Sequence, residues 1–248
     1  MPIQMPSPRD SYSNSRSPTD DAGLRAYLAK IYSYMAGALV ITGVVAMLAA
    51  NSPAFLNAIY AMQGEAIVGM KPLGWLVTLA PLGLVLWLSF GMQRMSLAAV
   101  QASFWTYAVL MGMSLSVLFI IYTGTSIARI FFITAGLFGS MSLYGYSTKK
   151  DLTSWGSFLM MGLVGLIIAS VVNIFLKSSA LQFTLSAIGV LVFVGLTAYD
   201  TQKLKQLYYQ RSEDRETNGK VAIFGALTLY LDFINIFINL LSLFGNRR

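Results

Sequence analysis

The last apolar segment of the chain, Leu229 to Gly245, most constrains the fold. It reads LYLDFINIFINLLSLFG, which is apolar enough to cross a bilayer yet carries one acid and two amides. With a hydroxyl residue on either side, these polar residues recur at alternating steps of four and three: Thr228, Asp232, Asn235, Asn239 and Ser242. That spacing puts all five on one face of a helix. Because such a stripe cannot face lipid, the pattern predicts that this segment is the central helix of a bundle.

Composition places the whole chain among membrane proteins. Of its 248 residues, 56% are hydrophobic and only 11% are charged, whereas soluble domains carry about 25% charged residues. The chain has no Cys and no His, which excludes disulfides, thiol chemistry, Cys/His zinc sites and any triad that needs imidazole. The net charge of +7 does not indicate nucleic-acid binding, because the basic residues are scattered among the connections that flank the apolar stretches.

The chain holds seven stretches of the length that a bilayer span requires, about 20 mostly apolar residues. They are approximately Ile31–Ala50, Leu73–Met92, Leu97–Tyr122, Ile127–Tyr146, Gly156–Leu176, Leu181–Asp200 (with a continuation to Tyr208 open) and Val221–Phe244. Between the first two, residues 51–72 are predicted to hold a short interfacial helix. Residues 1–24 are polar and rich in Ser and Pro, which predicts a disordered cytoplasmic tail. The prediction is an all-α integral membrane protein with a single seven-helix domain, residues 25–248.

Lys and Arg residues indicate the orientation of the spans. They are more numerous in the N-terminal tail and in the second, fourth and sixth connections than on the opposite side. The positive-inside rule then predicts a cytoplasmic N-terminus and, after seven spans, an external C-terminus. Six spans followed by a re-entrant last segment would instead bring Arg247 and Arg248 to the cytoplasm, and the sequence leaves this alternative open.

Two acids fall at membrane depth, Asp200 in the sixth predicted span and Asp232 in the seventh. Asp232 lies about 16 Å from Val221 along its helix, and Asp200 lies about 12 Å from Tyr208 if the sixth helix continues that far. Since the two spans are antiparallel neighbours, the carboxyl groups can meet at a similar depth. Carboxyl groups in contact and away from water cannot both ionise easily, so such a pair shares a proton and forms a pH switch that also attracts cations.

Simpler roles for the charged residues stay open at this point. Asp200 can be an interfacial acid paired with Lys203 or Lys205, and Asp232 can be a hydrogen-bonding residue that holds the bundle together. Arg94, at the cytoplasmic end of the second span, either anchors that span at the membrane surface or reaches a carboxylate.

At these residues the sequence resembles the Bax inhibitor-1 family, specifically its bacterial membrane proteins. The resemblance extends from about Arg25 to Gly245. Its most specific motifs are AYDTQKLK in the sixth span and LYLDFINIFINLL in the seventh, supported by STKKDL after the fourth span and by Asn173-Ile174-Phe175 at the end of the fifth. The resemblance implies two three-helix layers around the last helix and a location in the bacterial inner membrane.

The resemblance also implies a function, a pH-sensitive passive leak of calcium. In the family the sixth- and seventh-span aspartates form a hydrogen-bonded pair, which falls here on Asp200 and Asp232. A basic residue at the cytoplasmic end of the second span exchanges with that pair on opening, and Arg94 stands in its place. With Asn235 and Asn239 along the ion path, the two carboxylates are predicted to give Ca²⁺ a weak, transient site. We expect no resident cofactor and no enzymatic activity.

Two other functions remain open from the sequence. Some bacterial relatives are linked to a membrane-bound AAA+ protease, and eukaryotic relatives to suppression of cell death, so the alternative is a membrane-embedded modulator that binds a protein partner. A remote alternative is an intramembrane aspartyl protease, since Tyr199-Asp200 resembles the Tyr-Asp of those enzymes. The residues before Asp232 lack the Gly-x-Gly-Asp context that those enzymes need. The sequence sets no oligomeric state.

Overall fold

The computed structural model describes residues 18–63, 66–210 and 214–248, which are almost entirely helical. The helices of these ranges are α1 (Pro18–Ala50), α2 (Pro53–Ile59), α3 (Pro72–Gly91), α4 (Leu97–Ile121), α5 (Gly124–Ser147), α6 (Thr153–Leu176), α7 (Ser179–Tyr209) and α8 (Arg215–Phe244). A 3₁₀ turn, Met92–Arg94, follows α3. Two short antiparallel strands, β1 (Tyr60–Gln63) and β2 (Ala66–Met70), form a hairpin between α2 and α3.

Seven of these helices, all but α2, are long and apolar enough to cross a membrane, which confirms the predicted spans. α7 continues to Tyr209, as the longer form of the prediction required. α8 is one continuous helix of 30 residues. It therefore lacks the break that a re-entrant segment needs, and the six-span alternative does not describe the structure.

α1 begins earlier in the chain than the predicted boundary. It starts at Pro18, so residues 18–24 of the predicted tail are helical. Proline suits a first helical position because the N–H that it lacks would have no helical partner there. Leu24 and Leu28 are buried in the core of the bundle, which extends the packed part of the helix towards its start. The rest of the predicted tail, residues 1–17, lies outside the described residues.

The segment between the first two spans contains the predicted short helix and an unpredicted hairpin. Ser52 caps α2 by accepting a hydrogen bond from the N–H of Phe55. The N–H of Lys71 donates to the Ile59 carbonyl at 2.9 Å, which ties the end of the hairpin back to α2. The two strands are only four and five residues long, too short for an alternating pattern to stand out from the sequence.

α8 is the central helix of the bundle. It packs against α1, α4, α5 and α7. Of the residues in its most apolar stretch 67% are buried, compared with 6% in the corresponding stretch of α6. On one side of it α4 lies between α1 and α3, and on the other α7 lies between α5 and α6. These are the two three-helix layers expected around the C-terminal helix.

Polar and aromatic contacts fix the rotation of α8 near its centre. Thr42 of α1 donates to the Ala108 carbonyl of α4 at 2.9 Å, which leaves its oxygen to accept from the Tyr230 hydroxyl at 2.7 Å. Phe233 packs against Phe138 of α5, with ring centroids 5.6 Å apart. Because α8 is held between both layers, the side chain of residue 232 has a defined direction.

Candidate functional site

α7 and α8 form an antiparallel pair with a constant register. Three residue pairs in contact define it: Leu204 with Gly225, Gly189 with Asn239, and Ser186 with Ser242. Because the offset agrees to within one residue for all three, each residue of one helix can be placed level, to within one residue, with a residue of the other. We call the end of the bundle that holds the α7–α8 connection the inner end, and the end at which α8 stops the outer end.

The structure brings the two membrane aspartates together. By the register Asp200 is level with Thr228, one helical turn inward of Asp232. Side chains in a helix lean towards its N-terminus, so Asp200 leans outward and Asp232 leans inward. The two side chains therefore lean towards each other, which bridges the one-turn difference in level between them. The two carboxyl groups lie within hydrogen-bonding distance of each other. A hydrogen bond between two carboxyl groups requires that one of them carries a proton.

The two carboxyl groups have unequal surroundings. Asp232 is 3% exposed, whereas Asp200 is partly exposed. The Oδ2 atom of Asp232 is buried with no N–H or O–H donor from another described residue, so a proton shared with Asp200 is the donor that the geometry leaves for it. Lys203, one turn further inward on α7, is the cation whose field acts on Asp200. Its ammonium group lies 5.8 Å from the ring centre of Tyr199.

Residues that follow Asp200 fasten α7 to neighbouring elements. The Gln202 side chain accepts from the N–H of Leu152 at 2.9 Å and donates to the Lys150 carbonyl at 2.8 Å. The Lys205 ammonium group donates to the Tyr146 carbonyl of α5 at 2.8 Å. Gln202 was not predicted as a site residue, although it stands inside the AYDTQKLK motif. It holds the α5–α6 connection against the same turn of α7 that carries Asp200.

Asn235 and Asn239 lie outward of the pair along α8. Each side-chain amide donates to the carbonyl four residues earlier, of Leu231 and Asn235 respectively, at 2.8 Å. These bonds occupy one N–H of each amide and leave the amide oxygen turned away from the backbone. Both side chains are partly exposed, so they present polar atoms along the outer half of α8.

Arg94 is not in contact with the aspartate pair. It lies in the 3₁₀ turn after α3 and is exposed. Within the described ranges it makes no hydrogen bond or ion pair with either aspartate, because α3 packs chiefly against α4 and not against α7 or α8. An exchange between Arg94 and the pair would therefore need a movement of α3.

The fold and the pair define a class of protein: a helical, multi-pass membrane protein with seven apolar spans around a C-terminal helix that carries a buried acid. A family model described as inhibitor of apoptosis-promoting Bax1 matches residues 24–248. The chain therefore belongs to this family, the Bax inhibitor-1 family that its motifs resemble.

Relatives match almost the whole chain. The protein RP147 of Rickettsia prowazekii (strain Madrid E) is 53% identical over 234 residues, which cover 94% of this chain and 95% of the relative. The inner membrane protein YbhL of Escherichia coli (strain K12) is 48% identical over 229 residues, covering 92% and 94%. A membrane protein of Streptococcus pyogenes serotype M3 (strain ATCC BAA-595 / MGAS315) is 33% identical over 235 residues, covering 91% and 94%.

Proposed function

We propose that this protein is a passive, pH-sensitive leak for calcium or similar cations, with Asp200 and Asp232 as its gate. The observation that supports this most directly is the contact between the two carboxyl groups, one of them fully buried, at the centre of a seven-span bundle. An ionisable group at membrane depth is costly and usually serves function.

The pair suits an ion that passes through rather than one that stays. Calcium takes six to eight oxygen ligands, and the two carboxylates of the pair have only four oxygens between them. Among the described residues no cluster of three or more His, Cys, Asp or Glu residues exists. A weak site favours conduction, because an ion that enters must also leave.

Polar side chains continue outward from the pair along α8 and provide a route. Outward of Asp232, the members of the stripe are Asn235, Asn239 and Ser242, and all three are partly exposed. This stripe lies beside α7, while α3 and α6 sit at the periphery, each packed chiefly against a single neighbour.

Loss of the shared proton is the proposed opening step. Two ionised carboxylates in contact repel each other, so deprotonation would separate the α7 and α8 side chains. Arg94 would then be an exchange partner that approaches from α3. With the N-terminus in the cytoplasm, as the positive-inside rule predicts, the inner end and Arg94 face the cytoplasm.

Calcium flux into dye-loaded liposomes tests the proposal, scanned from about pH 5 to 8, the range in which a coupled carboxyl pair titrates. The wild type is compared with Asp200→Asn and Asp232→Asn. Asp151→Asn is the matched control, because Asp151 is an exposed acid of the α5–α6 connection. We expect the flux of the wild type and of the control to change with pH, and the pH profile to flatten or shift in both membrane variants.

Two results would contradict the proposal. One is the absence of flux above empty liposomes from protein shown to be folded, which would favour the partner-binding alternative. The other is a pH profile that Asp200→Asn and Asp232→Asn leave unchanged, which would remove the pair from the gating step.

A further inference from the structure

The face of α7 that meets α8 changes character along its length. Residues at alternating steps of three and four form this face: Ser186, Gly189, Phe193, Leu196 and Asp200. The two at the outer end are small, and the one at the inner end is the acid of the pair. Two bulky apolar residues separate them. We call the interface between α7 and α8 the seam. Its outer polar stretch, made of Ser186, Gly189, Asn239 and Ser242, is the outer section of the seam.

In the outer section α7 leaves room for the polar side chains of α8. A Cβ atom at Gly189 would come within 2.8 Å of the Asn239 side-chain oxygen, so the amide occupies the space that another residue's side chain would take. The Ser186 hydroxyl donates to the Ser242 hydroxyl at 3.2 Å. This part of the seam therefore holds polar groups on both helices.

Phe193 fills the same face one step further inward. By the register it is level with Asn235, between the outer section and the aspartate pair. It is 8% exposed and belongs to the continuous apolar core, as does Leu196, which is level with Asp232 and 2% exposed. The Asn235 amide donates along its own helix to the Leu231 carbonyl, and the Phe193 side chain offers it no polar atom across the interface.

We infer that Phe193, supported by Leu196, is an apolar barrier that separates the outer section of the seam from the aspartate pair. A constriction lined by apolar side chains excludes water, and an ion that enters it loses its hydration without gaining ligands. The inference deepens the proposed function and rests on it for its role in conduction. It adds a second barrier in series, so that the state of the pair alone does not open the route.

The absence of Cys from the chain allows a direct test by single-cysteine labelling. Thr228→Cys places a thiol level with Asp200, inward of Phe193, and Ser242→Cys places one in the outer section. Vesicles of one known orientation are exposed, on the side of the outer end, to a membrane-impermeant methanethiosulfonate reagent. Each reporter is combined with Phe193, Phe193→Leu or Phe193→Ala.

We expect the Ser242→Cys reporter to react at a similar rate in every background. The Thr228→Cys reporter should react slowly with Phe193 present and about tenfold faster with Phe193→Ala, as expected when an apolar constriction becomes hydrated. Phe193→Leu should give a smaller increase. Phe183→Ala is the matched control, because Phe183 is on the same helix but 62% exposed at the bundle surface, and it should leave both rates unchanged.

Two outcomes would overturn the inference. One is a Thr228→Cys rate equal to the Ser242→Cys rate with Phe193 present. The other is a rate that neither Phe193→Ala nor Phe193→Leu changes in protein that remains monodisperse and helical. If Phe193→Ala does not fold, the Leu variant carries the comparison.

Calcium flux measured on the same vesicles separates this inference from the proposed function. Faster labelling together with no calcium flux in any variant would support the barrier and reject the leak. Flux that is present and unaffected by Phe193→Ala would support the leak and reject the barrier.

Discussion

The outer end and the middle of α8 are held by different kinds of interaction. At the outer end the chain beyond Phe244 lies along the α4–α5 connection, and we call residues 245–248 the C-terminal latch. The N–H of Thr123 donates to the Asn246 carbonyl at 3.1 Å, and the N–H of Arg248 donates to the Ile121 carbonyl at 2.9 Å. The N–H of Asn246 donates to the Ser126 hydroxyl at 3.0 Å. None of these groups changes its charge with pH.

Near its middle α8 meets α7 through the aspartate pair, whose hydrogen bond exists only while a proton is shared. If the pair is the gate, as we propose, a change of pH acts on the middle of α8 and leaves its outer end tied. The latch would then be the fixed point, and the α7–α8 contact around the pair the part that rearranges.

The acid that begins α8 belongs to the inner end but is a poor candidate for the sensor. The Asp214 carboxylate accepts hydrogen bonds from the Thr217 hydroxyl and from the N–H groups of Glu216 and Thr217. These hydrogen bonds, the one from the Thr217 hydroxyl most of all, lower the pKa of Asp214 below its ordinary value of 3.8. The contribution of the ionised Asp214 carboxylate to the stability of the folded protein is complete above about pH 4. It is lost only as the pH falls further, through the lowered pKa.

The largest expected effect concerns Asp232. While the folded protein holds a shared proton that the unfolded chain releases, its stability decreases as the pH rises, by up to about 1.4 kcal/mol per pH unit for one proton. Asp232→Asn keeps a hydrogen-bond donor towards Asp200 and needs no shared proton, so this slope should disappear. Thermal unfolding in detergent from about pH 5 to 8 measures it, with Asp151→Asn as the control that keeps the slope. A slope that survives in Asp232→Asn would locate the sensor elsewhere.

The second prediction concerns the tight packing of the outer half of the seam. Gly189→Ala forces a methyl group against the Asn239 amide and should lower the free energy of unfolding by about 1–3 kcal/mol. Gly165→Ala is the matched control, because apart from the backbone of its own helix no atom lies within 4 Å of a Cβ there. It should raise stability by up to about 1 kcal/mol through helix propensity. Equal effects at the two positions would mean that the seam is looser than the register indicates.

The sequence predicted the features that depend on local pattern. Steps of four and three identified the polar stripe of α8, and span lengths placed Asp200 and Asp232 at similar depths. The one-turn offset between them was beyond such reasoning, because it depends on how Gly189 and Asn239 fit together. The role of Gln202 depends on backbone groups 50 and 52 residues away, which no spacing rule connects.

The position of Arg94 shows the same limit for a peripheral helix. Its sequence context correctly placed it at one end of a span. Whether it reaches the aspartates depends on which helix α3 packs against, and an almost uniformly apolar span gives little information about that choice. The contact with α4 is decided by the shape of the packed surfaces, which only the folded chain shows.

The third prediction removes the C-terminal latch. Deletion of residues 246–248 breaks the hydrogen bonds to the α4–α5 connection and should lower the free energy of unfolding by about 1 kcal/mol, because exposed hydrogen bonds contribute modestly. The slope of stability with pH should stay as in the wild type. Asn246→Ala is the control, since the latch uses only the backbone atoms of that residue. A deletion that also changes the pH slope would show that the outer end of α8 and the aspartate pair are coupled.

The smallest expected effect tests whether α1 also holds α7 in place beside the aspartate pair. The Tyr32 hydroxyl forms a 3.3 Å hydrogen bond with the Thr201 hydroxyl, beside Asp200. A bond of that length between partly buried groups contributes little, so Tyr32→Phe should lower the free energy of unfolding by about 0.5 kcal/mol. Tyr144→Phe, at a residue 45% exposed on α5, should have no measurable effect. A loss for Tyr32→Phe as large as that for Gly189→Ala would mean that a neutral hydroxyl contact fixes α7 beside Asp200 as firmly as packing fixes the outer half of the seam. The aspartate pair would then be one of two restraints there, and loss of the shared proton alone could not free this part of α7.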